Sequence, residues 1–197
     1  MMLSDFSTIN QYVNKCALFS EEEIKIFNGL LQSKTVKKKT ILLREGEICN
    51  FEAYILKGCI RTFCTDENGA EVILQFAVED WWVSDITSFH DQTPSKLSIE
   101  TLENCELLIL NHEAKEELLS KIPLFERVFR LMIQRNLAVT QNRLISTIAK
   151  PAQERYLEFL ERYPNISQRV SQHYIASYLG ISAEFLSKIR AKIASNR

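Results

Sequence analysis

The chain has little glycine and little proline, five and four residues among 197, and no tract biased towards either. That scarcity excludes collagen-like, low-complexity and linker-rich chains and leaves a polypeptide of continuous elements. No stretch approaches the roughly eighteen consecutive apolar residues that a membrane-spanning helix needs. Residues 1–10 lack the basic start and apolar run of a secretory signal. The five cysteines (Cys16, Cys49, Cys59, Cys64 and Cys105) are odd in number and scattered, which argues for reduced thiols in a cytoplasm rather than a disulfide framework. Cys59 and Cys64, on one expected strand, face opposite sides and cannot chelate together. His90, His112 and His173 show no metal-ligand spacing. No Walker loop, GxSxG elbow, HExxH or GxGxxG is present, and carboxylates such as Asp80 and Asp85 have no recognisable catalytic partner. An enzyme is not expected.

What is present is ordinary globular material, 46 % apolar, with an uneven charge. From Lys150 onward, eight basic residues (Lys150, Arg155, Arg162, Arg169, Lys188, Arg190, Lys192, Arg197) face four acidic ones, leaving this tail at +4. The whole chain carries −1, so the remainder holds −5. A basic end on an acidic body is the footprint of a protein that touches phosphate with one part only.

Residues 20–33 read as an amphipathic helix. Ser20 is the N-cap, Glu21, Glu22 and Glu23 suit the positive end of the dipole, and Ile24, Phe27, Leu30 and Leu31 recur at helical spacing. From Ser33 to about Leu110 short β-branched and aromatic runs are broken at Gly46, Gly58 and Gly69, with Glu67-Asn68-Gly69 a strong hairpin signal. A compact β-barrel or β-roll is expected there. A long helix follows, about Pro123 to Ile148. Val128, Leu131, Met132, Arg135, Ala138, Val139, Asn142 and Ile145 trace an approximate heptad stripe along it. Such a stripe points to a partner helix; the alternative is a helix packed back on its own barrel. Lys150-Pro151 marks a boundary, and a further helix runs from Ala152 to Tyr163.

The stretch RVSQHYIASYLGISAEFLSKIRAKI, residues 169–193, carries the chemistry. Ser171 caps a first helix with Ile175, Ala176 and Leu179 inward. Gly180 closes it, and Ser182 caps a second helix with Phe185, Leu186 and Ile189 inward. Two short helices joined at a glycine form the helix-turn-helix pattern. The second helix of that motif lies in the major groove. Ser182, Ala183, Glu184, Ser187 and Lys188 are then placed for base edges, with Glu184 suited to cytosine N4 and Lys188 to guanine or phosphate. Arg169, Gln172, Arg190 and Lys192 are placed as backbone clamps, and Ser171 completes the DNA-binding set.

With these parts in order, the chain resembles the Crp/Fnr family of transcriptional regulators. The resemblance is best over residues 41–76, with their three turn glycines, and residues 170–189, where Glu184 and Lys188 occupy the acidic and basic places of the family's recognition helix. It implies an α+β protein. An antiparallel β-roll of jelly-roll type (residues 1–120) would be the sensor, followed by a dimerisation helix (121–149) and a C-terminal winged helix-turn-helix (150–197). With only Asn165 to Val170 between the last domain's helices, the wing is expected to be trimmed. Members that bind cyclic AMP use a cassette starting Gly-Glu-Leu and ending Arg-Ser or Arg-Thr, whose arginine pairs the phosphate. Here Ser84-Asp85-Ile86 and Ser95-Lys96 stand in those places, so cyclic AMP is not expected and any effector is another ligand. An iron–sulfur sensor would need clustered N-terminal cysteines, and only Cys16 lies there. Of Trp81 and Trp82, one ring is expected inside the roll and the other over the long helix. The reading is a cytoplasmic, homodimeric DNA-binding regulator on near-palindromic operators, with no metal or cofactor identified and RNA polymerase a further partner. The alternative is a ligand-sensing roll that signals through protein contacts without DNA.

Overall fold

A computed structural model of the chain describes residues 6–195. Met1–Asp5, Asn196 and Arg197 lie outside the described residues; with them go half of the stretch searched for a signal and the last cation of the basic tail. In chain order the elements are α1 (Ser7–Asn14), α2 (Glu21–Leu30), β1 (Gln32–Val36), β2 (Ile41–Leu43), β3 (Phe51–Lys57), β4 (Ile60–Thr65), β5 (Glu71–Ala77) and β6 (Trp82–Val83). Then come α3 (Ile86–Asp91), β7 (Ser98–Thr101), β8 (Cys105–Asn111), α4 (His112–Lys121), α5 (Phe125–Ala149), α6 (Ala152–Arg162), α7 (Ile166–Arg169), α8 (Gln172–Leu179) and α9 (Ala183–Ser195). They divide into two compact units: residues up to Thr62 with Phe76–Arg135, and Phe63–Gln75 with the chain from Asn136 onward.

The capping signal at Ser20 is realised as a full capping box. Ser20 Oγ accepts from the Glu23 N–H at 3.2 Å, while the Ser20 N–H donates to Glu23 Oε2 at 2.7 Å. The helix stops at Leu30, three residues short of expectation, because Leu31 turns extended and Gln32 pairs with Ile109 of β8.

Two four-stranded sheets follow, in the orders β1-β8-β3-β6 and β2-β7-β4-β5. The register is antiparallel, with Ala53 opposite Ile109 and Ile55 opposite Leu107. β3 and β8 are buried on both faces, so side chains alternate between two cores. Ala53, Ile55, Cys105 and Leu107 fill one with Ile60, Val83, Phe89 and Ile99. Tyr54, Leu108 and Leu110 fill the other, under Ile9, Phe27, Leu118, Phe125 and Val128 of the surrounding helices. Gly69 turns the β4–β5 hairpin at φ +79°, where Asp66 Oδ1 accepts from the N–H groups of Asn68 and Ala70 at 2.9 and 2.8 Å. Gly58, at φ +115°, permits a close approach: a Cβ there would lie 2.5 Å from Cys105 Sγ.

The winged form of the C-terminal motif needs correction. Among the described residues no strand follows Asn111, and the segment read as a trimmed wing is the single helical turn α7. Ile166 and Val170 are buried at its two ends, and so few residues cannot form two paired strands.

Candidate nucleic-acid interface

Ser171 Oγ accepts from the Tyr174 N–H and opens α8. The helix ends in a Schellman arrangement: the Gly180 N–H donates to Ser177 O and the Ile181 N–H to Ala176 O, both at 3.1 Å, with Gly180 at φ +64°. Ser182 Oγ then accepts from the Phe185 N–H at 3.1 Å, starting α9 two residues after the glycine. Ile175, Ala176 and Leu179 of α8 and Leu186 and Ile189 of α9 are buried. Phe185, expected inward, is 49 % exposed, because the inner stripe follows Leu186, Ile189 and the half-buried Ile193, and Phe185 lies about 100° to its side.

Ser182, Glu184, Ser187, Lys188, Arg190 and Lys192 are exposed, and Ala183 is half-buried. Glu184 is held below the ordinary carboxylate range, first by its own backbone N–H, then by the Ser182 hydroxyl and the Lys188 charge. Its carboxylate is thus already part of the α9 start. Ser171 and Gln172 are exposed at the opening of α8, and Arg169 is half-buried at the end of α7.

Behind the motif, Phe159 and Tyr163 of the α6 region pack on Tyr178, with ring centroids 5.1 and 6.2 Å from it. Burial pushes the Tyr163 hydroxyl well above its usual range, so it stays neutral. The sequence reading missed Arg143. This α5 side chain donates to three main-chain oxygens, those of Ile73, Leu74 and Tyr178, and lies 4.1 Å over the Tyr178 ring. It also missed Ser177, which donates to Glu71 O at 2.7 Å and accepts from the Ile73 N–H at 3.0 Å. Strand β5 is thereby bonded to α5 and α8. No local signal announces either contact, since the partners lie about a hundred or seventy residues away.

The expected effector residues are partly brought together. Asp85 Oδ1 accepts from the N–H groups of Thr87 and Ser88 at the start of α3, and Ser95 Oγ donates to Asp85 Oδ2 at 2.6 Å. Both residues are buried. Ser84 Oγ donates to Phe51 O at 2.9 Å. Ile86, the first residue of α3, and Lys96, which follows the buried Ser95, are instead exposed. Trp81 packs against the roll core, while Trp82 lies beside Tyr54 and Phe129 of α5, with centroids 5.5 and 6.4 Å away.

The dimer stripe also needs correction, because it is not one surface. Val128 is buried in its own unit, Leu131 and Met132 pack half-buried beside it, and Arg135 lies 5.9 Å from the Tyr12 ring. Ala138, Asn142 and Ile145 are exposed, and Val139 is half-buried. The large apolar residues that α5 leaves outside are Ile133, Leu137, Leu144, Ile145 and Ile148. Ile133, Leu137 and Leu144, four and seven apart, keep heptad spacing.

Comparison with known proteins agrees with this architecture. Residues 33–121 match the model of the cyclic nucleotide-binding domain. The transcriptional activator protein Anr of Pseudomonas protegens is 24 % identical over 179 residues, covering 84 % of this chain and 71 % of that protein. The anaerobic regulatory protein of Pasteurella multocida is 24 % identical over 202 residues, covering 94 % and 71 %. Among solved structures, the c-di-GMP-responsive global regulator CLP of Xanthomonas campestris superposes with a TM-score of 0.74 at 16 % identity, over 90 % of this chain and 93 % of that one. FixK2 of Bradyrhizobium japonicum gives 0.73 at 15 %, over 84 % and 85 %. Residues 33–121 are thus a domain of the cyclic nucleotide-binding type. Over most of its length the chain is similar, at 24 % identity, to the transcriptional regulators of Pseudomonas protegens and Pasteurella multocida, and it shares the fold of CLP and FixK2.

Proposed function

We propose that the protein is a sequence-specific DNA-binding transcriptional regulator of the Crp/Fnr type, acting as a cytoplasmic homodimer on near-palindromic operators. The α8–α9 pair carries this reading: a glycine-closed turn joins two packed helices, and Ser182, Glu184, Ser187 and Lys188 are exposed on the second. The transcriptional activators among its relatives support it. Ser182, Ala183, Glu184, Ser187 and Lys188 read base edges, while Arg169, Ser171, Gln172, Arg190 and Lys192 hold the backbone. Ile133, Leu137 and Leu144 of α5 form the dimer seam, in place of the stripe through Val128. The roll senses an effector, and RNA polymerase is a further partner.

Cyclic AMP is not favoured as that effector. The α3 N–H groups that would meet a ligand's anion are engaged by Asp85, and the chain's own Ser95 hydroxyl completes that carboxylate's partners. The c-di-GMP response of CLP is a property of that protein.

Selection of genomic fragments at two salt concentrations, with native mass spectrometry of the same preparation, tests the reading. A dimer enriching a near-palindrome, with affinity falling steeply as salt rises, is expected. Lys188→Ala should reduce discrimination between bases as well as affinity. Absence of binding to any duplex at low salt would favour the alternative, a ligand-sensing module that signals through protein contacts.

A further inference from the structure

We propose that the second unit holds a binding site for a small oxyanion, a carboxylate or phosphate compound, in the cleft between α5, α6 and α8. The cleft measures about 520 Å³ and its lining includes Arg143, Arg155, Arg162 and Glu161, with Lys150 paired to Glu158. That volume falls within the roughly 300–1,000 Å³ usual for small-molecule sites and leaves room for an organic body beside the anionic group.

The charges around the cleft do not balance. Glu158 accepts from both Lys150 and the Ser146 hydroxyl, and Arg162 also acts on its charge. Arg143 gives its donors to three carbonyl oxygens, none of which carries a formal charge. Burial lowers its pKa, and Arg162 adds like-charge repulsion. The Nε–H of Arg155 is buried with no acceptor. The lining therefore carries four cations, Arg143, Lys150, Arg155 and Arg162, against two carboxylates, Glu158 and Glu161.

An oxyanion resolves all three deficits. As the Arg155 side chain turns towards the cleft, the anion supplies the acceptor that its buried Nε lacks, with opposite charge for Arg143 and Arg162, and planar guanidinium forks match carboxylate and phosphate oxygens. A bound anion would tie α6 to α5 and to Tyr178 at the end of α8, the first helix of the helix-turn-helix. Only this consequence rests on the regulator reading; occupancy of the cleft does not.

Isothermal titration calorimetry of the full chain with pyrophosphate and, separately, citrate tests the site at constant ionic strength. Saturable binding of one anion per chain, with Kd below about 1 mM, is expected. Pyrophosphate alone binding would assign the phosphate class, and citrate alone the carboxylate class; either outcome supports the site. Arg155→Gln should weaken binding about tenfold or more, and Lys121→Gln, an exposed cation of the first unit, should leave it unchanged. Arg162→Gln, on an exposed residue, is the second variant, and circular dichroism verifies that each is folded. No saturable heat from either anion overturns the proposal, as does unchanged affinity in both arginine variants. No duplex is present in the calorimeter, so a failure of DNA recognition would leave this result untouched.

Discussion

Replacing Arg143 with lysine should loosen the helix-turn-helix from a position outside it. The guanidinium donates to Ile73 O at 3.0 Å, to Tyr178 O at 2.8 Å and to Leu74 O, and stacks on Tyr178. Three acceptors at fixed angles suit a planar fork; an ammonium is a point charge and cannot satisfy them all from one position. A hydrogen bond to a charged group contributes about 1.5–3 kcal/mol, so losing at least one, with the stack, should cost about 2–3 kcal/mol. Burial already disfavours the charge, which places Arg143→Met near the same loss: it sheds the desolvation cost but orphans every acceptor. Trp81 and Trp82 both lie in the first unit, so tryptophan fluorescence would miss the effect. Amide hydrogen exchange on α8 reads it directly, and the expected loss should speed exchange roughly 30- to 150-fold. Exchange within about threefold of the parent in both variants would refute the assignment of Arg143 as the clamp on this unit.

Gly180→Ala should destabilise the second unit by about 1–2 kcal/mol in thermal unfolding. A Cβ there meets nothing within 4 Å, so the cost is wholly that of a left-handed backbone, and Gly180→Asn should cost less. Gly58→Ala should cost more than Gly180→Ala, since strain is joined by contact with Cys105 Sγ at 2.5 Å. Urea unfolding followed by tryptophan fluorescence should show Cys105→Ala restoring part of that loss. Glu52 is raised above its ordinary value by burial, with Lys115, 2.9 Å away, opposing the shift. A carboxyl raised on folding adds stability as pH falls towards the ordinary carboxylate range and loses it as pH rises through the folded value. The unfolding free energy should therefore gain from Glu52 on mild acidification, and Glu52→Gln should flatten that dependence.

The elements that could be read in advance share one property: their causes lie within a few residues. The capping box needs only Ser20 and Glu23, the β4–β5 turn only Asp66 and Gly69, and the α8–α9 corner only Gly180 and Ser182. Even α5, Phe125–Ala149, lies within two residues of the tract expected from periodicity. The Asp85 cap of α3 had a local signal too, an aspartate opening a short helix, but the segment was read only as a cassette. The wing was imported with the family pattern and is replaced by α7.

Local patterns by themselves therefore placed α2, the β4–β5 turn, α5, α6 and the α8–α9 corner and marked the β-roll segment, but not α1, α3, α4 or α7. Only the tertiary structure decided which faces those elements use. Helix α5 carries apolar residues on more than one side, and a heptad count cannot tell a stripe that meets its own core from one left for a partner. Val128 is buried by Phe125, Leu110 and their neighbours, while Leu137 and Leu144 stay outside. The same holds for Arg143, whose acceptors Ile73 and Leu74 are seventy and sixty-nine residues away. Hydrogen bonds and burial depend on distance in space, and only the folded chain sets that distance.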